Sequence, residues 1–395
     1  MQSMSKIVSA EVFPVMVPFV RPYRWAFGEL NGACALIVRL EDEGGIVGWG
    51  EVPTPYHPGI SGAAVAIFAQ TLLDKMVVGS APSPRSFVAS AFAHGGWHFF
   101  PQMGGAVVGG LETALWDMVG RQKNMRVVDM LGGPVRSKME CMCFIFDDDL
   151  PKMVDVAVKA AAEGFRVFYL KWADDARAGL EKLHAISDAV GDNCVLRIDP
   201  NESWTSASAP RYCRMLEDLP IEFIEQPLPY FDLDGLRDLR QRTPLAIASD
   251  QATRTPQDAF RGLAMGAMDL LSVCPSDAGG ILRSLDITAA ARSRGVPVFM
   301  HSNVELGLGQ AASLAVSCLS ENATYAAQTE YNRFAWDITS GLEFDGASIV
   351  LPEGPGLGLE IDEDNLAKAR QNFENGMGNT WTLDTTVPKR FFPAY

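Results

Sequence analysis

The chain has 395 residues, a length typical of two to three domains. Of these residues 48% are hydrophobic and 21% charged, as in a globular protein with a large core. Its formal charge of −15 argues against a nucleic-acid or anionic-membrane partner. The sequence shows neither a signal-peptide pattern nor a bilayer-length apolar run, and its seven cysteines lack metal-type spacing, so we expect a cytoplasmic protein with reduced thiols.

Residues 1–135 are predicted to form an α+β capping domain. Alternating apolar positions indicate strands between residues 6 and 51, with a hairpin turn at residues 43–45. Two loops, 21–27 and 53–59, are rich in aromatic residues or proline, and helices are predicted over 63–76, 83–93 and 106–122. A Leu-Gly-Gly-Pro sequence at 131–134 ends the domain, and we expect residues 366–395 to return to it.

Residues 136–365 alternate between strand and helix patterns. Eight strands with seven intervening helices predict a (β/α)8-type barrel, although an open doubly wound sheet could produce the same alternation. The predicted strands are 141–146, 166–171, 194–199, 221–225, 245–249, 269–273, 296–300 and 324–329. The chain is therefore predicted to be an α/β protein: a TIM-like barrel with a capping domain that the C-terminal segment completes.

Three of these strands end abruptly in a carboxylate, at Asp199, Glu225 and Asp250. In a barrel, the C-terminal ends of neighbouring strands form one face, and barrel enzymes place their chemistry there. Three carboxylates side by side would repel one another unless a cation neutralised them. Oxygen ligands of this kind favour Mg²⁺, which we predict as the cofactor. Lys171 and His301 stand at two further strand ends, on the inward-facing side of their strands.

Several motifs together resemble the mandelate racemase/muconate lactonizing enzyme branch of the enolase superfamily. They are Gly48-Trp49-Gly50-Glu51, Gly110-Leu111-Glu112-Thr113-Ala114-Leu115-Trp116-Asp117, Arg197-Ile198-Asp199-Pro200-Asn201 and Ile224-Glu225-Gln226-Pro227. The resemblance covers most of the chain. It implies removal of the proton next to a substrate carboxylate, with Mg²⁺ on Asp199, Glu225 and Asp250 stabilising the resulting charge.

The same resemblance implies catalytic roles for Lys171 and His301, and this chain departs from the family pattern around both. Tyr169 replaces the first lysine of a common Lys-x-Lys pair, and we interpret it as a packed residue or a hydrogen-bond donor near the base. Cys274 stands where relatives carry lysine or aspartate, so His301 lacks the usual acidic partner. Asp277 is close in sequence but three positions out of register.

Candidate substrate contacts are more dispersed. In the family, the loop that contains Arg24 and Trp25 closes over the substrate, and the second proline-rich loop is expected beside it. The predicted substrate-binding residues are Asn201, Arg24, Trp25, Tyr56, His57, Glu305 and Glu330. Purely structural roles for these residues stay open, since a turn with arginines can be ordinary protein surface and a glutamate can cap a helix.

The predicted function is a Mg²⁺-dependent dehydratase of a sugar acid, aldarate diacids included, that yields a 2-keto-3-deoxy acid. Lys171 or His301 would remove the α-proton, and His301 would protonate the departing hydroxyl. A racemase, epimerase or lactone cycloisomerase would use the same intermediate, and a barrel that binds a sugar acid without turnover is a third alternative. As partners we expect a small carboxylate substrate and further copies of this chain, without nucleic acid or membrane.

Overall fold

The computed structural model describes residues 5–25, 28–53, 62–94, 101–146, 148–172, 176–329, 331–377 and 381–382. For residues 23–25, 28–29, 101–102, 332 and 381–382 the description is confined to the backbone. Within these ranges, no helix is both long and apolar enough to cross a membrane.

An antiparallel sheet backed by helices forms the N-terminal part of the chain. Strand β2 pairs with β1 on one side and with β3 and β16 on the other. The strands are β1 (Ile7–Trp25), β2 (Gly28–Asp42), β3 (Val47–Pro53) and β16 (Trp381–Thr382), and the helices are α1 (Gly62–Met76), α2 (Pro84–Ala93) and α3 (Pro101–Lys123). The predicted turn lies between β2 and β3, where Asp42 Oδ1 accepts hydrogen bonds from the amides of Gly44 and Ile46.

Two features of this sheet matter for the active site. Residues 21–25 were expected in a loop, but the structure places them in β1, where residues 23–25 pair with residues 28–30 of β2 after a register shift. The loop prediction was wrong because the β1–β2 hairpin is longer than its apolar pattern. Close packing of β3 on α3 explains the glycines of the Gly-Trp-Gly-Glu motif, since a Cβ at Gly50 would collide with the carbonyl of Gly110.

The central part of the chain is a (β/α)8-type barrel. Seven parallel strands lie side by side in chain order. They are β5 (Cys143–Ile145), β6 (Val167–Lys171), β7 (Val195–Asp199), β8 (Ile221–Glu225), β9 (Ile247–Ser249), β10 (Leu270–Val273) and β11 (Val298–Met300). The helices around and between them are α5 (Leu150–Ala162), α6 (Ala176–Val190), α7 (Ala209–Leu216), α8 (Leu233–Arg240), α9 (Pro256–Met265), α10 (Pro275–Ala278), α11 (Ile281–Ser293) and α12 (Gly307–Leu319).

The barrel closes through residues 323–328 rather than through a full eighth strand. Ala323 bridges Val298 and Ala327 bridges Cys141, each as an isolated parallel bridge. Met142 N donates to Ala327 O, and Gln328 N donates to Met300 O. The predicted strand over 324–329 therefore lies in the right place, but its ladders are one residue long on each side.

Smaller elements lie outside the barrel repeat. Strands β4, β14 and β13 form a three-stranded antiparallel sheet, β12 pairs with β15, and the last helix contacts β1. Their bounds are α4 (Val127–Met130), β4 (Lys138–Glu140), β12 (Thr339–Ser340), β13 (Glu343–Asp345), β14 (Ser348–Val350), β15 (Glu360–Ile361) and α13 (Glu363–Asn372). Short 3-10 turns cover Gln251–Thr253 and Tyr331–Arg333, and a π-helical turn covers Phe373–Met377.

A buried arginine occupies the barrel interior. Arg197, on β7, is 0% exposed and its guanidinium carbon lies 4.5 Å from the ring centre of Phe223 and 5.5 Å from that of Phe299. Its Nε donates to Glu222 Oε2 over 2.5 Å, and its Nη1 donates to the carbonyl of Ala326. The cation is thus paired and stacked, as a buried charge must be.

Candidate active site

Three buried carboxylates lie on neighbouring strands at the C-terminal face of the barrel. Asp199 ends β7, Glu225 ends β8 and Asp250 directly follows β9. Their exposed fractions are 2%, 1% and 5%. The apolar run of each strand fixes this placement, because a parallel strand that is covered on both sides is buried up to its last residue.

Asp199 is the most heavily bonded of the three. Its Oδ1 accepts from the amide of Asn201 over 2.7 Å, and its Oδ2 accepts from Asn201 Nδ2 over 2.7 Å and from Tyr169 Oη over 2.6 Å. Asn201 has a φ of 44°, a left-handed conformation that asparagine tolerates better than most residues. Its own Oδ1 has no hydrogen-bond partner among the described residues, so it is available to a ligand.

Glu225 is a carboxylate with an unpartnered oxygen among the described residues. Its Oε2 is buried and, within the described part of the chain, accepts no hydrogen bond. Burial raises the pKa of Glu225 well above its ordinary value, and repulsion from Asp199 and Asp250 raises it further. An orphaned carboxylate oxygen beside two other carboxylates fits a hard divalent cation with oxygen ligands.

Among the described residues, one group of possible metal ligands has atoms that lie close together, and it shares Asp250 with the three carboxylates. Ligand atoms of Asp250, Asp277 and His301 lie within 4.8 Å of one another. Burial lowers the pKa of His301, but Asp250 and Asp277 more than offset this and raise it to about 9. Without a metal the ring is therefore protonated at neutral pH, and the group combines possible metal ligands with a histidine that can carry a proton.

Lys171 lies beside Asp199 at the end of β6. Its Nζ is 2.5 Å from Asp199 Oδ2 and 3.1 Å from Tyr169 Oη. The phenol of Tyr169 donates to Asp199 and accepts from Lys171, so these contacts fix the direction of the amine. Only 13% of the Lys171 side chain is exposed.

The acidic partner of His301 is Asp277. His301 Nε2 lies 3.0 Å from Asp277 Oδ2 and 3.4 Å from Asp250 Oδ1. Arg254 Nε lies 3.5 Å from the same oxygen of Asp277. Burial would raise the pKa of Asp277, but Arg254 and His301 hold it at about 2, so Asp277 is ionised at neutral pH.

The local fold explains why the sequence register concealed this pair. Cys274 directly follows β10 and is the N-cap of α10, a single helical turn in which Asp277 is the third residue. A side chain three residues along a helix returns to the same face. Asp277 therefore reaches His301 from a position that strand spacing alone would not select, and Arg254 was not singled out by any motif.

A polar cluster fills the space between the ends of β10 and β11. Glu305, 3% exposed, accepts from Cys274 Sγ over 3.0 Å and from Ser302 Oγ over 2.7 Å. Its carboxylate also accepts from the amide of Asn303 and from Ser276 Oγ. Burial, followed by the charge of Glu305, raises the pKa of Cys274 well above its ordinary value. Both side chains are thus engaged within the protein, and the substrate-binding role of Glu305 stays a prediction.

Several predicted substrate contacts lie outside the described residues. Tyr56, His57 and Glu330 are among them, and for Arg24 and Trp25 only the backbone in β1 is described. Their roles stay predictions.

An aromatic and cationic stack near this face was not anticipated from the sequence. The guanidinium carbon of Arg333 lies 4.0 Å from the ring centre of Phe144 and 4.1 Å from that of Phe146. The guanidinium carbon of Arg21, a residue of β1, lies 4.4 Å from the ring centre of Phe146. The ring of Phe144 is in turn 5.1 Å from Tyr169. The stack connects the capping sheet to the catalytic face through cation–π contacts.

Comparison with known families agrees with this architecture. The family described as "Enolase C-terminal domain-like" matches residues 152–365, and "Mandelate racemase / muconate lactonizing enzyme, N-terminal domain" matches residues 7–132. The chain belongs to the mandelate racemase/muconate lactonizing enzyme branch of the enolase superfamily. The resemblance inferred from the strand-end motifs is therefore confirmed.

Similar enzymes of this superfamily are isomerases. L-Ala-D/L-Glu epimerase of Bacillus subtilis is 28% identical over 90% of this chain and 96% of its own length. Muconate cycloisomerase 1 of Rhodococcus opacus is 26% identical over 93% and 99%, and N-succinyl-L-Arg/Lys racemase of Bacillus cereus is 24% identical over 91% and 97%. The structure of muconate lactonizing enzyme from Pseudomonas fluorescens, complexed with muconolactone, superposes with a TM-score of 0.83 at 26% identity over 93% and 99% of the two chains.

Proposed function

We propose that this protein is a divalent-metal-dependent isomerase that moves the proton next to a substrate carboxylate, as a racemase or epimerase does. The observation that carries the proposal is the placement of Lys171 and His301. Lys171 ends β6 and His301 follows β11, while the three carboxylates end the strands between them. Two proton-carrying groups on either side of one charged centre suit removal of a proton from one face and return to the other.

The carboxylates define where the substrate carboxylate would lie. Asp199, Glu225 and Asp250 would hold Mg²⁺, and the orphaned Glu225 Oε2 supports this assignment. Bound there, the cation would neutralise the negative charge that develops when the adjacent proton leaves. The free Oδ1 of Asn201 offers one further contact to the substrate or its water.

Lys171 is the base on one side. Its amine contacts the carboxylate of Asp199. A cation held by Asp199 would compete for that carboxylate and weaken its hold on the amine, which must be neutral to accept a proton. Tyr169 orients the amine of Lys171, because its hydroxyl accepts a hydrogen bond from Lys171 and donates one to Asp199.

His301 is the acid on the other side. Burial lowers the pKa of His301, but Asp250 and Asp277 raise it to about 9 in the metal-free protein. Asp277 is not one of the proposed metal ligands, so it would still favour the protonated ring, which can deliver a proton to the α-carbon, when a cation offsets the charge of Asp250. Asp277 remains ionised and holds the ring through Nε2. For the substrate of opposite configuration the two roles are exchanged, as reversibility requires.

Dehydration of a sugar acid, aldarates included, is the second candidate. The same imidazolium of His301 could protonate a departing β-hydroxyl and so give a 2-keto-3-deoxy acid, and imidazolium is a better acid near neutral pH than a second lysine. The isomerase is preferred because the similar enzymes are a racemase, an epimerase and cycloisomerases. We also propose that the chain assembles with further copies of itself. The remaining proposed substrate contacts are Arg24, Trp25, Tyr56, His57, Glu305 and Glu330.

The test is a panel of N-acyl amino acids, dipeptides, lactones and sugar acids incubated with the purified protein and Mg²⁺. Chiral chromatography would detect inversion at the α-carbon, and a 2-keto-acid assay would detect dehydration. Inversion that is lost with chelator and in Lys171→Ala, but kept in the exposed Lys152→Ala, supports the isomerase. Formation of 2-keto acid without inversion would replace it by the dehydratase.

A further inference from the structure

The loop between β11 and α12 carries His301 and is conformationally strained. Val304, three residues after His301, has a φ of 64°, in the left-handed region that β-branched residues rarely adopt. Such a conformation persists only where surrounding contacts impose it. Within the loop, Glu305 accepts from Ser302 Oγ and from the amide of Asn303, while Val304 N donates to Ser302 Oγ.

A carboxylate from the capping sheet holds the other end of this loop. Glu51, the last residue of the Gly-Trp-Gly-Glu motif and 4% exposed, accepts from Leu306 N over 2.7 Å and from Gly309 N over 2.8 Å. Leu306 is the N-cap of α12 and Gly309 lies in its first turn, where amides lack partners within the helix. Gly309 leaves room for both glutamates, because a Cβ there would lie 3.2 Å from Glu51 Oε2 and 2.7 Å from Glu305 Cβ.

We propose that Glu51 is a positioning residue, which fixes the strained β11–α12 loop so that His301 faces the carboxylates. The β3 strand thereby makes the capping domain part of the catalytic geometry without touching the substrate. The part that concerns proton transfer rests on the proposed function, whereas the part that concerns the loop does not.

Glu112 provides a matched control of the same chemistry. It is a buried glutamate of the capping domain, on α3, and it accepts from the amides of Ile281 and Leu282 at the start of α11. Glu51→Ala and Glu112→Ala each remove a carboxylate that accepts from two amides at the start of a barrel helix. Only Glu51 holds the loop of His301.

Hydrogen exchange and NMR test the loop without any substrate. In Glu51→Ala, amide exchange over residues 302–309 should accelerate about 10- to 100-fold, as expected for the loss of two buried hydrogen bonds, and the ring signals of His301 should shift. In Glu112→Ala, the acceleration should be confined to residues 281–284. Glu51→Gln, which keeps one acceptor and serves if the alanine variant does not fold, should accelerate exchange less. Unchanged exchange over 302–309 in either Glu51 variant overturns the proposal.

Kinetics test the positioning role. Glu51→Ala should lower kcat about 10-fold or more with KM changed less than about 3-fold, because the substrate contacts remain. Adding Val304→Gly, which tolerates a positive φ, should recover much of kcat by removing the strain that drives the loop away. Equal losses of kcat in Glu51→Ala and Glu112→Ala would overturn the positioning role. If the protein turned over none of the candidate carboxylate substrates, the proposed function would fail. The amide exchange rates and the His301 ring signals would still test the positioning of the loop.

Discussion

The charge of Asp277 should set the proton affinity of His301. Their 3.0 Å contact is a charge-assisted hydrogen bond, which is worth roughly 1.5–3 kcal/mol. Since one pKa unit corresponds to about 1.36 kcal/mol, Asp277→Asn should lower the pKa of His301 from about 9 by about 1–2 units. Arg254, left beside the ring without its carboxylate partner, acts in the same direction.

The measurement is a pH titration of the histidine rings by NMR in the presence of chelator. The chain has five histidines, and His301→Asn assigns the relevant signal. Asp286→Asn is a control in which an exposed carboxylate of α11 is neutralised. A midpoint for His301 that is the same in Asp277→Asn and Asp286→Asn would refute the proposed pairing.

The same substitution has a kinetic consequence with a definite sign. His301 acts as an acid only while protonated, so activity in the direction that uses this acid should decline with rising pH through the pKa of His301. In Asp277→Asn this decline should begin about 1–2 pH units lower. An unchanged alkaline limb would remove His301 from the proton-donating step.

Two further predictions concern the metal-free protein. Glu225→Gln removes one of three mutually repelling carboxylates, so the melting temperature of this variant without metal should rise. Stabilisation by Mg²⁺, which for an intact site is about 2.7 kcal/mol at a Mg²⁺ concentration 100 times the dissociation constant, should vanish. A Mg²⁺-dependent shift in melting temperature equal to that of the wild type would contradict the assigned site. Burial raises the pKa of Glu51 from 4.5 to about 8 and that of Glu112 to about 7, so the stability that these groups contribute is fully present below about pH 4.5 and is lost as the pH rises through the raised values. His301, whose pKa is raised from 6.5 to about 9, loses its contribution between pH 6.5 and pH 9. The melting temperature in chelator should therefore be higher at pH 6 than at pH 9, and the reverse order would contradict these environments.

The strand ends of the barrel could be predicted because burial leaves a readable pattern. Parallel strands covered on both sides are apolar until the face where they end, so Lys171, Asp199 and Glu225 mark the ends of β6, β7 and β8 in the sequence as well as in the structure. The closing segment at 323–328 has the same pattern, but its pairing is too short to form a regular strand.

The partners of these residues could not be predicted in the same way. Asp277 reaches His301 through a single helical turn, and Arg254 reaches Asp277 from the segment that follows the preceding strand. Such contacts depend on how separate loops pack, which strand periodicity does not encode. The strain at Val304 is equally invisible, because valine gives no signal for a positive φ.

The most direct test of the mechanism is stereospecific exchange of the substrate α-proton in deuterated water with Mg²⁺. Each single variant should retain exchange on the face that its remaining group serves: Lys171→Ala should stop exchange for one configuration, and His301→Asn should stop it for the other. Chelator should stop both. Exchange of both configurations that persists in either variant, or that needs no metal, would contradict the assignment of Lys171 and His301 to opposite sides of a metal-held carboxylate.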